Sequence, residues 1–118
     1  MLENAATFNV HHSDGEVVVA AVGEIDALSA PQFAVVVHDL ATTASELAID
    51  FSAVTFMDSS GLSVLASAIS ERGDGSRVRV RGASPMVRRL LTMSGIDTLL
   101  AIDPETAPNT AGPQPDAA

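Results

Sequence analysis

Two apolar stretches open the chain, and both have the length and composition of strands. Residues 6–10 form the first and residues 16–22 the second, which is apolar without alternation, as in a strand covered on both faces. Residues 11–15 between them end in Asp14-Gly15, a dipeptide that favours a hairpin turn. We expect residues 23–26, Gly-Glu-Ile-Asp, to follow the second strand as a loop.

After residue 26 the apolar pattern alternates between helix and strand spacing. The predicted elements are a helix opened by Pro31, a strand at 47–51, a helix from Ser59 to Gly73 and Gly75, a strand at 77–81, a helix from Ser84-Pro85 to Gly95, and a strand at 99–102. Three successive strand–helix–strand units require a largely parallel core. The sequence thus predicts a small α/β domain: a mixed, mostly parallel sheet of about five strands with three main helices, on one side or unevenly shared.

Length and composition place this domain at residues 1–103. The chain has 118 residues, enough for one compact domain, and 47% of them are hydrophobic. Residues 104–118 contain four prolines and few large apolar side chains, so we expect a disordered Pro/Ala-rich tail there. Because the sequence contains no apolar run of about 20 residues and no signal-like start, we expect a cytoplasmic protein with no membrane association.

The charge of the chain is strongly segregated. The net charge is −9, there is no lysine, and all six arginines lie in residues 72–89 with a single acid, Asp74. An acidic surface elsewhere argues against direct nucleic-acid binding and favours a partner that carries Arg or Lys. We expect the arginines to form a solvated face that offsets the acidic remainder; an anion-binding face is the alternative.

Catalytic and metal-binding chemistry find little support in the sequence. Ser59 lacks the surroundings of a hydrolase nucleophile, and the only histidines are His11, His12 and His38. His11, His12 and Asp14 are better interpreted as polar turn residues than as metal ligands. Without cysteine or a phosphate-binding glycine loop, the expectation is a protein that is not an enzyme and uses no cofactor.

The most informative segment is Asp58-Ser59-Ser60-Gly61, placed where an apolar strand ends and an amphipathic helix begins. The unpaired N–H groups and the dipole of a helix start favour negative charge. Asp58 is expected to cap the helix, or else to orient Ser59. Gly61 is expected to permit either close approach of a partner or a tight helix start.

Three segments together carry a resemblance to a known family. They are residues 23–26, Gly-Glu-Ile-Asp, residues 56–62, Phe-Met-Asp-Ser-Ser-Gly-Leu, and residues 84–90 continuing to Met-Ser-Gly at 93–95. In these the chain resembles the bacterial anti-sigma factor antagonists, which are built on a STAS domain. The resemblance runs from about Phe8 to Ile102.

The resemblance implies a partner-switching function. The unphosphorylated protein would bind an anti-sigma factor that is a serine kinase and so free a sigma factor; phosphorylation of Ser59 would end the contact, and a serine phosphatase would restore it. Ser60 is the rival acceptor. The implied partner-binding residues are Glu24, Asp26, Asp58, Ser59, Ser60, Gly61 and Leu62.

STAS domains also occur in other assemblies, which leaves an alternative. The chain would then be a scaffold component of a stressosome-like particle or a regulatory subunit of a lipid-transport complex. If the chain is a scaffold component, we expect it in a very large particle. If it is a lipid-transport subunit, we expect association with a membrane ATPase and an unmodified Ser59.

Overall fold

A computed structural model of the chain describes residues 6–73 and 77–104. It has the predicted order of strands and helices, with a short 3-10 helix before the last strand. The elements are β1 (Thr7–Ser13), β2 (Glu16–Ile25), α1 (Ala30–Thr43), β3 (Leu47–Met57), α2 (Ser59–Arg72), β4 (Arg79–Arg81), α3 (Pro85–Ser94), the 3-10 helix (Ile96–Leu99) and β5 (Ala101–Ile102). The predicted helix end at Gly75 and all of the predicted tail except Pro104 lie outside the described residues.

The five strands form one mixed sheet in the order β1-β2-β3-β4-β5. β1 pairs with β2 antiparallel, whereas β2, β3, β4 and β5 are parallel neighbours. Sequential parallel strands joined by right-handed crossovers place their helices on the same face. The expected small α/β fold is confirmed, and of the two helix arrangements the one-sided packing is found: α1, α2 and α3 all contribute to a single apolar core.

The hairpin turns at Asp14-Gly15, as predicted, but its strands are longer than expected. Asp14 and Gly15 both have positive φ, 53° and 79°, which is the geometry of a tight two-residue hairpin turn. The interpretation of His11 and His12 as turn residues is wrong. Both lie in β1 and pair with Val18 and Val17, because the turn needs only two residues.

The loop predicted at residues 23–26 is also wrong for residues 23–25, which belong to β2. Only Asp26 lies outside the strand. β2 continues through Ile25 because β3 continues to Met57, well past the predicted end at residue 51, and supplies backbone partners. Register shifts on either side of Val22-Gly23 allow the pairing to continue. At the other end of the chain, the strand predicted at 99–102 is reduced to Ala101–Ile102, since the residues before it form the 3-10 helix.

The Arg72 side chain of α2 forms hydrogen bonds with the C-terminal end of α1. The Arg72 guanidinium donates to the carbonyl oxygens of Ala41 and Ala44, at 3.1 and 2.9 Å, and of Ser45 at 2.8 Å. These carbonyls lie at the C-terminal end of α1, where helical hydrogen bonds run out and the dipole favours a cation. Because the two helices also share the core, they are held as one unit.

On the helix-free face of the sheet, an ion-pair cluster covers buried apolar residues. Glu16, whose side chain is only 11% exposed, accepts hydrogen bonds from Arg79 at 2.9 Å and Arg81 at 2.6 Å. Arg79 also holds Asp103 with two bonds of 2.8 Å. The arginine stems reach from β4 to β2 across β3, where Ala48 is fully buried.

The expected solvated arginine face is found only in part: Arg89 is exposed, whereas Arg79 and Arg81 are half-buried and have acidic partners within the domain. Arg77 donates to the Thr98 carbonyl at 2.9 Å, and Arg88 to the Asp103 carbonyl at 3.3 Å. Hydrogen bonds and charge attraction from Asp103, followed by the weaker attraction of Glu16, raise the pKa of Arg79 above its usual range. The cluster is a structural device that ties β4 and the C-terminal segment to β2.

We expect Glu16→Gln to lower the free energy of unfolding by about 1–3 kcal/mol, because two guanidinium groups lose their shared carboxylate. Urea denaturation of both proteins measures the change. Asp14→Asn is the matched control: it removes the same charge from the adjoining turn, and Asn tolerates the positive φ there. An equal loss in the two variants would contradict a specific role for the cluster.

Candidate functional site

The candidate site is built where β2 and β3 end side by side. Ile25 pairs with Met57 in the last rung of the parallel ladder, and the Asp58 N–H donates to the Ile25 carbonyl at 3.2 Å. The carboxyl ends of parallel strands lie at the same edge of a sheet. The turn that begins at Asp26 and the helix start at Ser59 are consequently neighbours.

Asp58 is the N-cap of α2, as predicted. Its backbone is extended and its Oδ1 accepts a hydrogen bond of 2.8 Å from the Ser60 N–H, which satisfies one of the helix's unpaired donors. A side chain held in this way has a structural role before any contact with a partner. The cap comes from the aspartate, and so the neighbouring serine is not needed for it.

The two serines of this segment differ in exposure. Ser59 is the first helical residue and is exposed, whereas Ser60 is half-buried. Within the described part of the chain, the Ser59 hydroxyl has no hydrogen-bond partner. Ser59 therefore presents a free hydroxyl to solvent at the positive end of a helix.

Gly61 is explained by packing within the domain. It is buried, and a Cβ at this position would lie 2.7 Å from Cγ and Sδ of Met57 and 3.0 Å from Cγ2 of Ile25. A larger residue here would require the buried Met57 side chain to shift, so glycine suits the close approach of α2 to the strand ends. Of the two roles expected for Gly61, the structure favours the tight helix start. The next residue, Leu62, is half-buried.

Asp26 organises the turn that leads into α1. Its Oδ1 accepts hydrogen bonds from the N–H groups of Leu28 at 3.0 Å and Ser29 at 3.2 Å. The Ser29 hydroxyl accepts from the Asp26 N–H at 3.0 Å and donates to the Glu24 carbonyl at 2.8 Å. This closed set of bonds holds the turn rigid and leaves the Leu28 side chain 87% exposed.

The site is acidic. Glu24, Asp26 and Asp58 are all half-buried, and among residues 6–73 and 77–104 none of the three forms an ion pair. The ion pairs of the arginine cluster lie on the helix-free face of the sheet instead. A group that approaches Ser59 therefore meets negative charge.

An open groove on the other side of Ser59 was not predicted from the sequence. It has a volume of about 370 Å³ and separates the start of α2 from the 3-10 helix. Ser59 and Leu62 line one side, and Ile96 and Leu99 line the other. No sequence signal marks this groove, because it is formed by two segments, residues 59–66 and 94–99, that are distant in the chain.

Neither a metal site nor a membrane span is found in the part of the chain described. No group of three or more His, Cys, Asp or Glu side chains there has the arrangement of a metal site. None of the described helices combines the length and apolarity needed to cross a bilayer.

Comparison with known proteins places the chain in a family. A family model described as "Mlab, STAS domain" matches residues 8–101, and no curated protein matches the sequence significantly. The crystal structure of an anti-sigma factor antagonist from Mycobacterium paratuberculosis is similar at 31% identity, with a TM-score of 0.78 over 91% of this chain and 92% of that one.

Two structures of SpoIIAA are also similar. The anti-sigma factor antagonist SpoIIAA in its unphosphorylated form shares 25% identity over 84% of this chain and 90% of its own, with a TM-score of 0.66. The phosphorylated form of the Bacillus cell fate determinant SpoIIAA shares 23% over 84% and 93%, with a TM-score of 0.61, and supports the fold alone. The chain belongs to the STAS domain family and has the fold of the anti-sigma factor antagonists.

Proposed function

We propose that this protein is an anti-sigma factor antagonist switched by phosphorylation of Ser59. In the unphosphorylated state it binds an anti-sigma factor that is a serine kinase, and a sigma factor is released. The observation that carries the proposal is the free, exposed hydroxyl of Ser59 at the N-terminus of α2, beside a turn held by Asp26. The family membership and the similarity to the anti-sigma factor antagonist SpoIIAA support it.

The proposed modification is a phosphoryl transfer from ATP. The Ser59 Oγ bonds to the γ-phosphorus, the bond from that phosphorus to the β–γ bridging oxygen breaks, the hydroxyl proton passes to a base of the kinase, and ADP leaves. A serine phosphatase hydrolyses the phosphoserine, which restores the hydroxyl and releases inorganic phosphate. This protein supplies the acceptor, and its partners supply the catalysis.

Phosphorylation acts on the contact surface and leaves the fold in place. A phosphoserine adds about −1.5 to −2 charges, which the dipole and free N–H groups of a helix start accommodate. Asp58 is its neighbour in the chain, and Asp26 follows the strand that pairs with β3, so the added charge makes an acidic surface more acidic. A kinase that fits the unmodified surface then meets added bulk, and the new charge faces the phosphates of its bound nucleotide; like-charge mismatch of this kind costs several kcal/mol.

The roles of the other contact residues follow from their positions. Asp26 and Asp58 each hold a turn through Oδ1 and offer their charge to an Arg or Lys of the kinase. Glu24 and Ser60 are half-buried and contribute at the rim, as does Leu62. Gly61 contributes indirectly, since its packing against Met57 sets the position of Ser59.

The site assignment is tested by phosphorylation with candidate anti-sigma kinases and ATP. Intact-mass spectrometry should detect one added phosphoryl group on the wild type and on Ser60→Ala, and none on Ser59→Ala. The matched pair separates the exposed hydroxyl from the half-buried one. Persistent modification of Ser59→Ala would overturn the assignment.

The size and partners of the native assembly test the alternatives. A megadalton particle would favour the scaffold, and an unmodified protein bound to a membrane ATPase would favour the lipid-transport subunit.

The charge switch is tested with a mimic. Ser59→Glu should weaken binding to the kinase at least tenfold relative to the wild type, whereas the neutral Ser59→Gln, of nearly the same size, should lose less. Calorimetric titration measures both affinities, and thermal unfolding checks that the fold is intact. Tight binding by Ser59→Glu would count against charge as the release signal.

The contribution of Asp26 is separable from its structural role. Asp26→Asn keeps a side-chain oxygen that accepts the hydrogen bonds of Leu28 and Ser29 but removes the charge. We expect a loss of kinase affinity of about tenfold, near 1.4 kcal/mol, with an unchanged unfolding midpoint. Unchanged affinity would remove Asp26 from the set of charged contacts.

A further inference from the structure

Strand β1 forms one edge of the sheet, and its outer side is open. Among the described residues it pairs only with β2, so the main-chain N–H and C=O groups that point away from β2 face no further strand. An edge of this kind is a template for another strand, and natural proteins shield it with charged side chains, proline or a bulge.

None of these protections is found in β1. Its seven residues, Thr7–Ser13, include no Asp, Glu, Lys, Arg or Pro, although the chain has 15 acidic residues and a net charge of −9. Its pairing with β2 runs without a register shift, whereas the pairing of β2 with β3 is shifted at two places. β1 is thus a regular edge without fixed charge, and a second acidic chain can approach it without like-charge repulsion at the strand itself.

The outward-facing groups of β1 have a symmetric pattern. The two-residue turn at Asp14-Gly15 makes Ser13 a residue that exchanges hydrogen bonds with β2. Bonded and outward-facing residues alternate from there, so Phe8, Val10 and His12 direct their main-chain groups to the open side. These three residues are symmetric about Val10, which is also the midpoint of β1.

We propose that the open edge of β1 binds β1 of a second copy of this chain, antiparallel and with Val10 opposite its counterpart. In this register Phe8 lies opposite His12 of the other copy, and the bonded pairs supply about six main-chain hydrogen bonds. The strand of another protein could bond to the same edge, but β1 itself matches the pattern with no outward-facing group left over. The contact is two-fold, so it uses both edges and closes at the dimer.

The side chains on the helix-bearing face fit the same register. Phe8 stacks on Phe33 of α1, with 5.0 Å between the ring centroids, so Phe8 and the alternate residues Val10 and His12 lie on that face. Val10 is 45% exposed. In the dimer it meets its counterpart directly across the strand pair, and exposed apolar area becomes buried.

The proposed dimer contact is separate from the Ser59 site. β2 lies between β1 and β3, and Ser59 begins the helix that follows β3. The edge contact therefore leaves Ser59 accessible in both copies and does not depend on its phosphorylation. The dimer carries two acceptor serines on one particle.

Sedimentation velocity of the full chain, from micromolar to millimolar concentration, tests the association. The mass should rise from the 12.1 kDa of one chain toward twice that value and no further. A single copy at every concentration would overturn the inference, and masses beyond two copies would overturn the closed two-fold pairing.

The position of the contact is tested by Val10→Lys, with Val35→Lys as its matched control. The first substitution places two ammonium groups opposite each other at the centre of the paired edges. Val35 is 72% exposed on α1, so the same change there adds the same charge away from β1. We expect Val10→Lys to weaken dimerisation at least tenfold and Val35→Lys less than twofold, with both folds verified by thermal unfolding. Equal effects of the two substitutions would overturn the assignment to β1.

Thiol cross-linking tests the register. The chain contains no cysteine, so Val10→Cys introduces a single reactive thiol per copy. A short bis-maleimide should join two copies of Val10→Cys, whose side chains are opposite each other, and leave Val35→Cys unjoined. Equal cross-linking of both variants, or none of Val10→Cys, would overturn the pairing about Val10.

Discussion

Strands β2 and β3 run parallel, and their ladder ends at Ile25 and Met57, so the segments that follow them are delivered to the same edge of the sheet. Because a parallel pair cannot be joined by a short turn, α1 must cross from one strand to the other over the core. The turn at Asp26 and the helix start at Ser59 are therefore brought together by backbone pairing, not by any contact between their own side chains. Gly61 completes the arrangement, since it lets α2 start directly against both strand ends.

The distribution of charge along the sheet follows from the same topology. Alternate residues of β2 and β4 point away from the helices, and there Glu16 meets Arg79 and Arg81. The arginines are thereby used in holding the sheet together and do not neutralise the carboxylates at the ends of β2 and β3. An acidic site and a well-paired ion cluster coexist on one small domain because they lie at opposite ends of β2, with Glu16 at its start and Glu24 near its end.

Local patterns in the sequence predict much of this fold, and they fail where the determinant is a distant partner. The i, i+3, i+4 spacing predicts the three helices, and Ser84 and Gly95 mark the ends of α3 correctly. The continuation of β2 through Gly23-Glu24-Ile25 was missed because that segment has a loop-like composition and extends only by pairing with β3. The partners of Arg79 and the groove at Leu99 were missed for the same reason, since both depend on residues far away in the chain. Asp58 and Ser59 were placed correctly, because capping is a local property.

Asp58, and not Ser59, caps α2, and this division of labour bears on how the domain can evolve. A residue that both stabilised the helix and received the phosphate would be constrained twice, and any change in regulation would be penalised in folding. Here Asp58 stabilises the helix start, so a substitution at position 59 does not remove the cap. Under the proposed function, a copy that lacks this hydroxyl or carries threonine in its place would keep its fold, and would then bind constitutively or answer a different kinase.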